Sequence, residues 1–260
     1  MRILVLLVAL IATQALAETV TFPGPDGTII RAQLHRPPGP IRGAIVALHG
    51  CGGPFPSRDQ QWTEALIAQG QIILFPDSFG SRGLGSQCQV PGNTRPVTPD
   101  GVRRQDAIAA AEWLRHQPGV PPGGLVLLGW SDGGSTTLAT AQTGRHLPHA
   151  LFRRFIAFYP GCRVPAITPG WATEAPIDIL MGEADDWTPI APCRQLATTT
   201  TNITLHPFPG AYHDFDSALP LRIRQNIPSS QNPDHTVHVG GNPAARAAAL
   251  DLVARLVSRQ

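Results

Sequence analysis

At 260 residues, with 42% hydrophobic and 15% charged side chains, the chain has the make-up of a folding domain, not of a disordered or low-complexity one. Its formal charge of +2, with all 20 positive side chains arginine, comes without any basic run, which argues against nucleic acid as the main partner. The 26 glycines and 27 prolines follow no short period, so a collagen-like chain is excluded and many turns are expected.

Met1–Ala17 reads as a secretory leader. Arg2 is followed by the apolar run Ile3–Ala12, and Ala15-Leu16-Ala17 supplies small residues at a cleavage site before Glu18. Ten apolar residues rise about 15 Å as a helix, roughly half the apolar thickness of a bilayer, so a cleaved leader fits better than an anchor. No later segment reaches 18 consecutive apolar residues. Residues 18–260 are therefore expected as an exported domain, secreted or periplasmic, with no membrane association after cleavage.

Thr19–Phe22 and Thr28–Leu34 flank the turn sequence Pro23-Gly24-Pro25-Asp26-Gly27 and predict a β-hairpin. Ala44–Leu48 is a continuous apolar strand, as expected when both faces of a sheet are covered. Asp59–Gln69 has helical spacing up to Gly70, and Ile72–Phe75 is a second buried strand ended by Pro76. Gly80–Pro99 is long and rich in Gly and Pro, the pattern of a loop bordering a site. Asp77 and Arg82 are expected to pair and brace it. Asp100–His116 is predicted as a helix capped by Asp100 and stopped before Pro118. Leu125–Leu128 is a strand leading into Gly129, and Asp132–Thr143 a helix ending at Gly144. Strands at Phe155–Phe158, Ile177–Leu180 and Ile203–Phe208 follow, with a short helix at Pro192–Thr199 and a closing helix at Ala244–Val257. A hairpin followed by alternating strands and helices predicts an α/β fold with a mostly parallel sheet and helices on both faces. No linker divides residues 18–260, so a single domain is expected.

Export changes the reading of Cys51, Cys88, Cys162 and Cys193. They lack CxxC spacing, which argues against a zinc knot or a thioredoxin-type motif, and an even number in an oxidising compartment suggests two disulfides. Of the three pairings, Cys51–Cys88 with Cys162–Cys193 is favoured, since each ties loops at the ends of neighbouring strands. The alternative is one or more free thiols.

The chemistry centres on Gly129-Trp130-Ser131-Asp132-Gly133, a Gly-x-Ser-x-Gly run between a predicted strand and a predicted helix. The bare pattern recurs by accident in roughly one chain in ten of this composition, so its context carries the signal. A nucleophile on a sharp strand-to-helix turn needs small residues two positions before and after it, and the helix N-terminus favours developing negative charge. The bland reading is an ordinary strand–helix turn with glycine for packing. Ser131 needs a base, and the base an orienting acid. His213 follows the last strand and so shares the carboxyl edge of the sheet with Ser131. His49 also ends a strand but reads as a loop-holding residue. His116, His146 and His149 show no partner, and His235 and His238 have a spacing that suits a metal but no carboxylate or cysteine cluster joins them, so a surface loop is expected. After Ile177–Leu180, Met181-Gly182-Glu183-Ala184-Asp185-Asp186 offers two adjacent acids, of which one can face His213. The order Ser, Asp, His suits this kind of sheet. Backbone N–H groups of Asp132 and of Cys51, in the glycine-rich run His49–Gly53, are the expected oxyanion donors.

At these residues the chain resembles the α/β-hydrolase superfamily and, within it, the dienelactone hydrolase family. The resemblance rests on His49–Gly53, Asp77–Gly83, Gly129–Gly134, Gly182–Pro189 and Pro209–Phe215. It implies Ser131 as nucleophile and His213 as base. Because the family's acid motif resembles Gly-x-x-Asp with Pro four residues on, it implies Asp185 over Asp186 as the acid. One position departs from the family. True dienelactone hydrolases carry Cys at the turn where this chain has Ser131, which favours a more general serine esterase. The expectation is an enzyme that cleaves small-molecule carboxylic esters or lactones through an acyl-enzyme, without metal or organic cofactor. The rivals are a peptidase of the same superfamily, which normally carries a gating domain for which this chain is too short, and a non-catalytic binding module on the same fold.

Overall fold

Alternating apolar runs and turns build one twisted sheet. The computed structural model describes residues 16–148 and 150–258. Residues 1–15, most of the expected leader, lie outside this range, as does His149. Eight strands, β1 (Leu16–Pro23), β2 (Ile29–Arg36), β3 (Gly43–Leu48), β4 (Gln71–Pro76), β5 (Leu125–Trp130), β6 (Phe152–Phe158), β7 (Ile177–Gly182) and β8 (Ile203–Phe208), lie in the order β1-β2-β4-β3-β5-β6-β7-β8. The β1–β2 hairpin and the β2–β4 pair are antiparallel, and every other pair is parallel. In β2 the buried Ile30, Ala32 and Leu34 alternate with outward residues, whereas β3, β5 and β7 are buried along their whole length. That contrast follows from coverage of the parallel strands on both faces and of the hairpin on one.

The helices are α1 (Pro56–Ile67), α2 (Val102–Arg115), α3 (Asp132–Ala141), α4 (Arg163–Ile167), α5 (Ile190–Thr199) and α6 (Pro243–Ser258). They lie on both faces, α1 packing on α6 and α2 on α3. Strand order reverses around β3, which feeds β4 on one side and has β5 on the other, so loops at the carboxyl ends of β3 and β5 meet in the crevice where ligands of such sheets bind. The register aligns Leu48 with Gly129, Trp130 with Phe158, and Gly182 with Phe208, which brings the loops after β3, β5, β7 and β8 to one edge.

Several local expectations change. Helix α1 starts at Pro56, where the missing N–H of proline leaves no helical bond unmade. Helix α2 starts after Gly101 without a side-chain cap, and Asp100 instead offers its carbonyl to Arg145. Helix α3 stops at Ala141. Asp77 does not pair with Arg82. Its carboxylate accepts the Gly80 N–H at 2.7 Å, while Arg82 makes two bonds to the fully buried Asp106, at 2.8 and 2.9 Å, and reaches Asp26 at 2.9 Å. A buried carboxylate needs a cation more than a half-exposed one does. The arginine thus staples the hairpin turn and the loop after β4 to α2. Helix α4 and a two-stranded ribbon, β9 (Arg222–Arg224) with β10 (Val237–Val239), have no counterpart among the predicted elements.

Candidate active site

Ser131 occupies the turn between β5 and α3 with φ 54° and ψ −113°. That region costs a residue with a side chain about 1–3 kcal/mol and persists only where the surroundings impose it. Here Ser131 N–H donates to Phe158 O at 2.9 Å, and its carbonyl accepts from Ser135 N–H at 2.8 Å. The flanking glycines are sterically required. A Cβ on Gly129 would stand 2.2 Å from Gly133 O, and one on Gly133 2.2 Å from Leu48 O.

His213 lies on the loop after β8 and is fully buried, its carbonyl held by Gly240 N–H at 2.8 Å. Its Nε2 is 2.9 Å from Ser131 Oγ and its Nδ1 2.8 Å from Asp185 Oδ2. These partners fix the tautomer: Nδ1–H donates to the carboxylate, and Nε2 accepts from the serine hydroxyl. The rings of Tyr159 and Trp187 lie 4.5 and 4.7 Å from the imidazole. Burial alone would disfavour the protonated ring. The Asp185 carboxylate beside it, with Asp214 and Asp216, outweighs that effect and raises the pKa above the ordinary imidazole value. Asp185 also accepts the N–H groups of Trp187 and Thr188 at 2.9 and 2.8 Å, which locks its carboxylate toward the ring. Asp186 points the other way. It takes the backbone N–H of His238 at 2.9 Å and sits 2.7 Å from the Nδ1 of that ring, so it belongs to the ribbon and not to His213.

Cys51 and Asp132 border the same cavity as Ser131. Neither backbone N–H is taken by another group among the described residues. Both segments are held by Arg103, which is buried in contact with the Phe79 ring, ion-paired to the Asp132 carboxylate and bonded to His49 O at 2.6 Å. Arg95 holds the other Asp132 oxygen at 2.8 Å. His49 turns its Nδ1 to Gly50 O at 2.8 Å, and burial together with Arg103 keeps its pKa well below the ordinary value. The disulfides Cys51–Cys88 and Cys162–Cys193 form as favoured in the sequence, and the first joins the loop after β3 to the Gly80–Pro99 segment. Val90, Gly92 and Arg95 of that segment line the cavity. Trp187 lines it as well, whereas Trp130 is fully buried and the Tyr212 ring lies tilted against that of His238, 4.8 Å away. Among the described residues no group of three or more His, Cys, Asp or Glu side chains is arranged to hold a metal ion.

One cluster escaped the sequence reading. Asp216, fully buried three residues past His213, accepts Trp62 Nε1–H at 2.7 Å, Trp130 Nε1–H at 2.9 Å and Tyr159 Oη–H at 2.7 Å. It joins α1, the residue before Ser131 and the end of β6 to the loop that carries the base. The buried Arg58 lies over the Trp130 ring at 4.4 Å and adds positive charge nearby. Buried indoles and phenols need polar partners, but no spacing in the sequence names Asp216 as the acceptor.

The sequence model of the dienelactone hydrolase family matches residues 30–252. No curated protein matches the chain in sequence. A Klebsiella pneumoniae protein described as a dienelactone hydrolase superposes over 95% of this chain and 100% of its own, at TM-score 0.67 and 15% identity. The dienelactone hydrolase of Anabaena variabilis does so over 93% and 96%, at 0.65 and 18%. Thermogutta terrifontis esterase 2 does so over 93% and 95%, at 0.64 and 19%. At such identities the likeness is one of fold. Because the family's own sequence model runs from β2 into α6, the chain belongs to the dienelactone hydrolase family, within the α/β-hydrolase superfamily.

Proposed function

We propose that the protein is an exported serine hydrolase that cleaves small-molecule carboxylic esters or lactones through an acyl-enzyme. The observation that carries this reading is the unbroken line from Ser131 Oγ to His213 Nε2, at 2.9 Å, and from His213 Nδ1 to Asp185, at 2.8 Å. His213 takes the hydroxyl proton as Ser131 Oγ bonds to the substrate carbonyl carbon. The carbonyl oxygen gains negative charge and is received by the N–H groups of Cys51 and Asp132 at the start of α3. As the carbon–oxygen bond to the alcohol breaks, His213 returns the proton to the leaving oxygen. A water molecule, deprotonated by His213, then bonds to the acyl carbon; the bond from that carbon to Ser131 Oγ breaks, the acid leaves, and His213 returns the proton to Ser131 Oγ. Asp185 holds the ring and stabilises its charged form throughout.

The organophosphate adducts of Thermogutta terrifontis esterase 2, including one phosphoramylated by tabun, support esterase chemistry on this fold. The leader pattern of Met1–Ala17 and the two disulfides support export to an oxidising compartment. No helix among the described residues is long and apolar enough to cross a membrane. The test is Ser131→Ala assayed on a short-chain nitrophenyl ester. Loss of about 10⁶-fold in kcat with an unchanged melting profile is expected, by analogy with removal of a triad serine elsewhere. Retained activity contradicts the reading.

A further inference from the structure

Ser131 stands on the partition between two cavities. The larger, of 530 Å³, runs past Gly92, Arg95, Asp132, Pro192 and Gln231. The smaller, of 230 Å³, is bordered by Gly52, Phe55, His213, Asp214 and Leu219. Ser131, Cys51 and Trp187 line both, whereas His213 borders the smaller alone. A proton can pass from His213 Nε2 to the leaving oxygen only within hydrogen-bond reach, about 3 Å. The alcohol therefore departs on the His213 side. The carbonyl oxygen points to the N–H groups of Cys51 and Asp132, which leaves the acyl chain the direction away from His213, past Asp132. The larger volume falls in the range of cavities that enclose whole organic ligands, about 300–1,000 Å³, and the smaller falls below it.

Resting on the function proposed above, we propose that the 530 Å³ cavity takes the acyl group and the 230 Å³ cavity the alcohol. The preferred substrates are then esters of a bulky acid with a small alcohol. Gly92 offers a handle on the acyl side, because a Cβ there meets no atom within 4 Å. Because Gly92 lines the larger cavity and a Cβ there finds open space, Gly92→Leu is the variant chosen to narrow it.

The experiment compares two isomeric esters, ethyl 4-phenylbutanoate and 4-phenylbutyl acetate, on the wild-type protein and on Gly92→Leu, alongside labelling of Ser131 by a fluorophosphonate. Wild type is expected to favour ethyl 4-phenylbutanoate in kcat/KM by at least about tenfold, the scale on which pocket size discriminates. Gly92→Leu is expected to shrink that ratio several-fold. Three results overturn the cavity assignment while leaving the hydrolase reading in place: labelled Ser131 with the acetate preferred, labelled Ser131 with equal rates or no turnover, or a ratio untouched by Gly92→Leu. Failure of Ser131 to label, with neither ester hydrolysed, overturns the hydrolase reading itself.

Discussion

Replacing Asp216 by Leu and by Asn separates a hydrogen-bonding hub from a merely space-filling side chain. Its carboxylate receives two indole N–H groups on Oδ2 and the Tyr159 hydroxyl on Oδ1. Leucine leaves all three donors buried without a partner, at about 1–3 kcal/mol each, or roughly 3–9 kcal/mol together. Against a total stability of about 5–15 kcal/mol, that costs most of the folded state. Asparagine can place its amide oxygen toward the two indoles and its NH₂ toward Tyr159, whose hydroxyl then accepts. Arg58 loses one nearby negative charge but retains Asp59, 3.4 Å away. The expected cost of Asp216→Asn is about 1–2 kcal/mol, a fall in Tm of roughly 2–8 °C, since 1 kcal/mol shifts a chain of this size by about 2–4 °C. Asp216→Leu should fall by at least about 6 °C or fail to accumulate folded. Thermal denaturation followed by circular dichroism reads both. A leucine variant that melts at or above the asparagine variant refutes the reasoning.

The two adjacent acids should separate in ester kinetics. Asp185→Asn is expected to lower kcat by about 10⁴-fold, and Asp186→Asn, which touches only the His238 side, by less than about tenfold; equal losses contradict the assignment. The pH profile has a defined sign. Only neutral His213 can accept the serine proton, and its folded pKa is raised, so kcat/KM should fall as pH drops through a midpoint above 6.5. A midpoint at or below that value disagrees with the geometry. The Cys162–Cys193 bridge closes a 31-residue separation, worth about 4 kcal/mol on chain-entropy grounds. Replacing both cysteines by serine should therefore lower Tm by roughly 8–15 °C, and an unchanged Tm shows that the bridge adds nothing.

What could be read in advance was what local sterics and sheet order dictate. Gly129 and Gly133 mark the turn because any larger residue collides with Gly133 O or Leu48 O, and that constraint is visible as a short pattern. The position of His213 follows from its place just after a strand. The nucleophile, base and acid candidates come together because parallel strands put their carboxyl ends on one edge. The hairpin was legible from its turn residues, Pro23–Gly27, between two strand-like runs.

Long-range charge pairing was not legible in the same way. Asp77 is the nearer acid to Arg82 in sequence, but Asp106, 24 residues away and fully buried, has the stronger need of a cation. Strand position alone leaves Asp185 and Asp186 undivided, and only the family resemblance, through Gly182 and Pro189, favours Asp185. That division depends on His238, brought back by a ribbon of two three-residue strands too short to leave a periodic trace. Arg103 and Asp216 were missed for a related reason. Each is a buried charge whose partners come from three or more separate segments, and no spacing rule connects them.

The central claim is that His213 activates the Ser131 hydroxyl, and covalent trapping tests it most directly. Intact and peptide mass spectrometry after exposure to diisopropyl fluorophosphate should find one adduct, on Ser131, and His213→Ala should slow its formation by at least about 10³-fold. An adduct on another residue, no adduct at all, or labelling at an undiminished rate in the His213 variant contradicts the account.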